Sequence, residues 1–374
     1  MKEYFLLLFL VLSVSSDDFD HQAFYNSRCE PKCIWNECEI TSKTVGSFPT
    51  NCTTVCADFA INGKCDLTEQ QMTTLFQNMK HLVGGIIIYK AKFTSARYLA
   101  SLEHMECGTA DFVISYNSKL TELGLTNLTT MNCSDISFSG NKEMTRLNLP
   151  KFKSISRAIG ADVNDTKVSI RIDDFDEYKF CITTVEMLAF LQTDDVDLTW
   201  LKGGLCEPGA QPLVGKLCNA SISEYEETVF QDGCTQYFGK LVITSKNENE
   251  VYKLKSMETL FGPLIIEKTN LTSINFLDNL KYTTTFGFAY PAMRIQNNPY
   301  LSNFSFPSFK RTKNSEADNS VIFNNNSQEF ILDPSYSTLQ QEANARPAYR
   351  SARMGIDMKF WMMILVSFFL ISLF

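Results

Sequence analysis

Cysteine and histidine are the residues of this chain most able to do chemistry at close quarters, and their spacing decides which chemistry. The 374 residues include 12 cysteines and 3 histidines. Cys29, Cys33 and Cys38 are near enough to suggest a metal knot, but His21, His81 and His104 sit at none of the intervals that tetrahedral zinc sites use. His104 lies near Cys107, yet that cysteine reads better as half of a disulfide than as a nucleophile. The acidic runs DDFDEY, 173–178, and QTDDVDLTW, 192–200, suggest calcium, but they lack the regular ligand spacing and terminal Glu of an EF-hand loop. They read as solvated loops. The glycine pairs Gly84-Gly85 and Gly203-Gly204 are isolated and form no phosphate-cradling loop. The expectation is no catalytic residue, no metal, no cofactor, and a protein that is not an enzyme.

The ends place the cysteines. MKEYFLLLFLVLSVSSDD opens with one Lys, an apolar run from Phe5 to Leu12 and then small residues, the layout of a secretory signal peptide, 1–16. The run is too short to span a bilayer. In a secreted chain an even cysteine count reads as a disulfide framework. Eight sequons, at Asn51, Asn127, Asn132, Asn164, Asn219, Asn270, Asn303 and Asn325, read as a glycosylated surface. The tail FWMMILVSFFLISLF, 360–374, falls short of the ~20 residues of a spanning helix. With a polar spacer and small residues before it, this tail resembles a GPI-attachment signal with Ser351 or Ala343 as the site; a short membrane anchor is the alternative. Residues 336–359 are polar and read as a stalk. A net charge of −8 repels nucleic acid; an acidic surface mostly means solubility, and it is also able to attract a basic ligand.

The chain repeats itself. GGIIIYKAKFTSARYLASL at 84–102 returns without a gap as GPLIIEKTNLTSINFLDNL at 262–280, and Cys29-Glu30-Pro31 returns as Cys206-Glu207-Pro208. The two units are 29–205, with a Cys-rich start, and 206–335. Inside them a shorter motif recurs: Asn117 opens NSKLTEL, Asn141 opens NKEMTRL and Asn298 opens NPYLSNF. Before each Asn runs a short strand, FVISYN, ISFSGN or MRIQNN, and VIFNNN at 321–326 is a fourth candidate. A strand and an Asn corner repeated at this interval is the signature of a solenoid. Alternation points Ile86, Ile88, Phe112, Ile114, Ile136 and Phe138 inward, with Phe93, Leu120 and Met144 filling the next corner. Asn suits the corner because it tolerates unusual backbone angles and bonds the local chain. Helices are expected over 67–79, with a Thr68–Gln71 capping box, and over 183–192, capped by Thr183 or Thr184, each sealing an end. Cys107 and Cys133, one turn apart, are expected to pair.

The outward strand positions form the candidate ligand face: Ile87, Tyr89, Val113, Ser115 and Ser137, then Ile265, Glu267, Arg294 and Gln296. Ile87 and Ile265 either mark a partner site, as apolar residues facing water do, or are covered by a loop or the other unit. Asn127 and Asn132 are expected on loops, which leaves the sheet free of glycan.

The run from a cysteine through a glycine and an apolar strand to GPLIIEKTNLTSINFLDNL and IQNNPYL resembles the receptor L domain, the ligand-binding solenoid paired in insulin and EGF receptors. With its signal peptide and FCIT-type end, the paired form resembles the expanded nematode family of insulin/EGF-receptor-like L-domain proteins. The resemblance covers most of 56–332. It implies an α/β solenoid of two right-handed parallel β-helices, leucine-rich-repeat-like, with short capping helices. It also implies the pairings Cys38–Cys56, Cys181–Cys206 and Cys218–Cys234, and leaves Cys29, Cys33, Cys52 and Cys65 unassigned. The implied partner is a protein or peptide, insulin-like or EGF-like, bound by a cell-surface or secreted co-receptor, decoy or carrier. A structural or adhesive glycoprotein is the alternative. Growth-factor receptors separate their L domains with a long cysteine-rich domain, and here only Cys206 to Cys234 intervenes. A hormone clamped between the units is therefore not expected, and with no kinase in the sequence neither is direct signalling.

Overall fold

The computed structural model describes residues 20–160, 167–176, 179–208, 215–222, 228–286, 291–314 and 321–327. The expected signal peptide, stalk and apolar tail, with Ser351, Ala343 and the sequon at Asn164, lie outside the described residues. Among those described, no helix is long and apolar enough to cross a membrane.

Runs in which every second side chain is apolar can bury one face of a strand and hydrate the other. The first unit lays such runs into two parallel sheets. Sheet I holds Thr54–Cys56, His81–Val83, His104–Glu106, Thr130–Asn132 and Ser154–Ser156, in chain order. Sheet II holds Phe59–Asn62, Ile86–Tyr89, Phe112–Ser115, Asp135–Ser139, Val168–Asp173 and Val196–Asp197. Each strand of sheet I is followed by one of sheet II, so the chain steps along both together. The second unit repeats the plan. Sheet III holds Leu217–Asn219, Gln236–Phe238, Thr259–Phe261, Tyr282–Thr284 and Arg311–Lys313. Sheet IV holds Leu241–Ile243, Leu264–Glu267, Met293–Gln296 and Val321–Asn324.

The duplicated stretch occupies equivalent places. Ile86–Tyr89 and Leu264–Glu267 are strands, and each leads to a 3-10 turn, Arg97–Leu99 or Asn275–Leu277. Gly84 and Gly262 turn the chain between sheets at φ 128° and 156°. A Cβ at either would collide with a backbone carbonyl of the preceding repeat, Ala57 or Gly239, so only glycine fits there. The six inward-pointing strand residues named above are all 2% exposed or less, and Phe93, Leu120 and Met144 are buried beside them. Each such side chain contributes roughly 1.5–3 kcal/mol by leaving water.

Asparagine does different work at the corners from that expected. The left-handed residue is the one before it: Tyr116 (φ 55°), Gly140 (70°) and Asn297 (57°) precede Asn117, Asn141 and Asn298. The Asn side chain instead links successive repeats. Asn117 Nδ2 donates to Ile88 O (2.9 Å) and its Oδ1 accepts from Ala91 N (2.8 Å), while Asn117 N and Nδ2 both donate to Asn141 Oδ1 (3.0 Å). Asn141 Nδ2 continues to Ile114 O (2.7 Å). In the second unit Asn298 donates to Ile266 O and to Asn326 Oδ1, and Asn326 to Ile295 O. Asn117 and Asn298 are fully buried. The ladder satisfies backbone groups that a corner between sheets leaves without a strand partner.

Two small sheets, Cys181–Ile182 with Gly204–Leu205 and Ser221–Ile222 with Thr228–Val229, and three α-helices accompany sheets I to IV. α1 (His21–Asn26) begins upstream of the expected first unit and packs into its core through Phe24 and Tyr25. α2 (Glu69–Phe76) starts at the expected Thr68–Gln71 capping box. It runs along the side of the stack against the Arg97–Leu99 turn, with Ser101 Oγ bonded to Phe76 O (2.6 Å), rather than sealing an end. α3 (Thr184–Gln192) is capped by Thr183. Its Glu186 is fully buried and accepts from Thr183 N and Leu149 N at 2.8 Å; burial pushes this carboxyl up despite those bonds.

Ten cysteines form five bridges: Cys29–Cys56, Cys33–Cys52, Cys107–Cys133, Cys181–Cys206 and Cys218–Cys234. The expected Cys38–Cys56 pair is corrected. Ile34 pairs with Cys56 and Glu39 with Ala60, so Cys38 is carried along the next strand, away from Cys56. Cys29, at the end of α1, takes its place. Cys38 is unpaired and exposed, and Cys65 unpaired and buried.

The two units share an interface. Tyr237 and Leu260 of sheet III point into the second core, but Phe238, Phe261, Tyr282 and Phe286 join the core of the first. Arg311 Nη1 donates to Leu191 O and Thr193 O, both at 2.7 Å, and so caps the C-terminus of α3 from the other unit.

Candidate ligand-binding face

The pleat of sheet II sets two outward rows. Ala60, Ile87, Val113, Ser137 and Arg171 lie side by side in one, and Asn62, Tyr89, Ser115, Ser139 and Asp173 in the other. Ile87, Val113 and Ser137 are half-buried, Tyr89 is exposed, and Ser115 is buried. Tyr89 meets Tyr116 edge to face at 5.9 Å, and Lys90 Nζ stands 4.8 Å over the Tyr89 ring. At the other side Arg171 is held flat. Its Nε and Nη2 both reach Asp173 Oδ2 at 2.9 Å, and its Cζ lies 5.2 Å over the exposed Trp200 ring. Small hydroxyl residues, Ser115, Ser137 and Ser139, form the floor between. Three strand spacings of about 4.8 Å separate Tyr89 from Asp173, a span that suits a segment of another protein.

Tyr116, Arg171, Asp173 and Trp200 were not among the residues expected on this face. Arg171 and Asp173 were legible in VSIRID, 168–173, whose alternation buries Val168, Ile170 and Ile172 and turns Ser169 and Arg171 out. Tyr116 could be found only once the corner register was known.

The other sheets present different surfaces. On sheet IV the outward Ile265 is 1% exposed, so it is covered; of the two outward isoleucines only Ile87 stays accessible. Glu267, Arg294 and Gln296 are half-buried and tied together, Gln296 Nε2 to Glu267 Oε2 at 3.0 Å and Arg294 to the same carboxylate at 3.5 Å. Sheet I turns out His81, His104, Thr130 and Ser154 with Glu106, Asn132 and Ser156. Arg28, just after α1, grips Glu106 at 3.0 Å. Asn132 therefore lies in a strand and not on a loop as expected, and a glycan there would stand on sheet I. Sheet III faces the first unit. Asn51, Asn219, Asn270, Asn303 and Asn325 are exposed, whereas Asn127 sits in a turn with its Nδ2 donating to Ala100 O at 2.8 Å. Among the described residues no sequon lies on sheet II.

Stacked parallel sheets, stapled by disulfides, leave one open face that carries aromatic residues. The family model described as Receptor L domain matches residues 51–154 and 233–341, more than half of the 374 residues, and the chain belongs to that family. No curated protein matches the chain. Membership suggests a ligand-binding, receptor-like extracellular region.

Proposed function

We propose that this protein is an extracellular, non-signalling receptor-like binding protein, and that its ligand is a peptide hormone or growth-factor-like protein held on the outward face of sheet II. The observation that carries the reading is the face itself. It keeps Ile87, Tyr89 and Val113 accessible beside Tyr116 and Trp200, and aromatic residues ringed by polar ones are the usual anchors of protein interfaces. The docking of the units through sheet III supports a ligand on one face rather than one gripped between them. The alternate stepping of strands between paired parallel sheets supports a right-handed β-helix in each unit. Five disulfides suit an oxidising compartment and support secretion with glycans at the sequons. The same reading has the tail tether the protein to a membrane, by a GPI anchor or a short span, and has it act as co-receptor, decoy or carrier rather than by catalysis.

The test is a panel of insulin-like and EGF-like peptides against the immobilised protein, wild type and Ser137→Arg. Binding at micromolar strength or better, abolished by the Arg in the floor of the face, is expected. Binding to none, with self-association instead, would shift the reading to an adhesive glycoprotein.

A further inference from the structure

We propose that the ligand face reads a basic side chain of its protein partner, at a subsite made by Tyr116, Asp173 and Asp174. The inference rests on the reading of sheet II as the ligand face and names the chemistry it selects. The same corner position is left-handed in successive repeats, at Lys90, Tyr116 and Gly140 of the first unit and at Lys268, Asn297 and Asn325 of the second. Gly and Asn take this conformation at little cost, and a bulky aromatic residue does not. Tyr116 nevertheless holds φ 55° while 54% exposed, so burial in the core does not offset the strain. Lys90 and Lys268 hold the same corner, so the conformation belongs to the repeat; what Tyr116 adds is an aromatic ring set by that corner on the exposed face.

The next repeat makes room for the ring. A Cβ at Gly140 would stand 2.8 Å from Tyr116 Cδ1, so the ring lies across that glycine. Gly140 N donates to Asp173 O at 3.2 Å, which brings the strand end Asp173-Asp174 to the far side of the same glycine. Asp173 gives Oδ2 to Arg171, while its Oδ1 is buried and lacks a hydrogen-bond partner. Asp174 is exposed and itself left-handed, at φ 56°. An aromatic face with two carboxylates one strand away, one of them short of a donor, suits a guanidinium or ammonium group. The neighbouring rings already take cations, Lys90 over Tyr89 and Arg171 over Trp200. The charge of −8 steers a basic partner toward the molecule.

Linear peptides displayed on phage are selected against the full chain, and the enriched sequences are synthesised. They are expected to carry Arg or Lys. Exchange of that Arg for neutral citrulline should weaken binding by about tenfold or more, as should Asp174→Asn, and added salt should weaken it further. Tyr116→Asn should lose binding while raising Tm, because the strained aromatic is replaced by a residue that favours the corner; a merely structural tyrosine would lower Tm and spare binding. Peptides that lose binding to the Ser137→Arg protein yet ignore the citrulline exchange and Asp174→Asn overturn the subsite and leave the ligand face standing. Peptides that ignore Ser137→Arg as well, or a selection that enriches nothing, overturn both.

Discussion

Sheets I and III are the same element in the two units, three-residue strands in parallel register, and they meet opposite fates. The residues flanking each inward side chain of sheet I are mostly polar: His81, His104 and Glu106, Thr130 and Asn132, Ser154 and Ser156. Their face is largely open. In sheet III the same places hold Gln236 and Phe238, Thr259 and Phe261, Tyr282 and Thr284, all buried. An identical backbone thus becomes a hydrated surface or an interface according to two side chains per strand. The consequence reaches the ligand. Once the second unit has given sheet III to the first, and Ile265 of sheet IV is covered, the open apolar face left among the described residues is sheet II.

The comparison fails first if the two units are not built alike inside. Asn117→Ala and Asn298→Ala each strip a buried link between repeats and leave carbonyls such as Ile88 O or Ile266 O without a donor. Each should cost about 3–4 kcal/mol, measured as equal losses in chemical unfolding of the two proteins. A large loss for one and a small loss for the other would mean that the ladder bears weight in one unit alone.

The difference between the sheets is sharpened at the interface. Arg311→Ala removes the donor to Leu191 O and Thr193 O and should cost about 2 kcal/mol, with hydrogen exchange rising in α3 and sheet III but not in sheet II. Protection lost evenly along the chain would mean that the units are not separate bodies joined there. Lys313, on the same strand, has its ammonium pushed down to about 8 by burial, against the pull of Asp197. The folded value lies below the unfolded ~10.4, so the unfolded chain binds more protons between them. Stability should rise as pH climbs from about 8 through about 10.4. Lys313→Met should raise Tm at neutral pH, by about 1 kcal/mol of stability, and flatten that alkaline rise.

Much of this was legible before the fold was known, and the reasons differ by element. Alternation and the gapless duplication marked the strands, because a half-buried strand must show period two. A capping box marked the start of α2, and a capping threonine, Thr183 or Thr184, that of α3, for an equally local reason. The fate of sheet III was also written, in QYF and TLF against HME and SIS, since a strand buried on both faces reads as apolar with little alternation. That signal is three residues long and fades without knowledge of register. The Cys38 pairing, implied by the resemblance as the counterpart of Cys218–Cys234, failed because nothing in the sequence says which strand the second half of the Cys-rich start follows. Tyr116 and Asp173 meet only through Gly140, a contact made by stacking and by nothing adjacent in sequence.

The smallest expected effect concerns a charged ladder on the flank of the first unit. The Glu122 side chain is 7% exposed and receives Arg97, Arg146 at 3.1 Å and Asn148 Nδ2 at 3.1 Å. Burial pushes its carboxyl up, but the Arg97 hydrogen bond and the charges of Arg97 and Arg146 outweigh this and hold it below the usual carboxylate range. Because the folded value lies below the unfolded one, the stability it lends is present above the unfolded ~4.3. That stability is lost as pH falls through the lower folded value. The two arginines are largely exposed, so Glu122→Gln should cost somewhat under about 1 kcal/mol at neutral pH and should reduce the loss of stability in acid. The first unit would thus be sensitive at the acid end and the second, through Lys313, at the alkaline end. Unfolding of the double variant Glu122→Gln, Lys313→Met across both windows checks whether the two contributions add, as groups in separate bodies should.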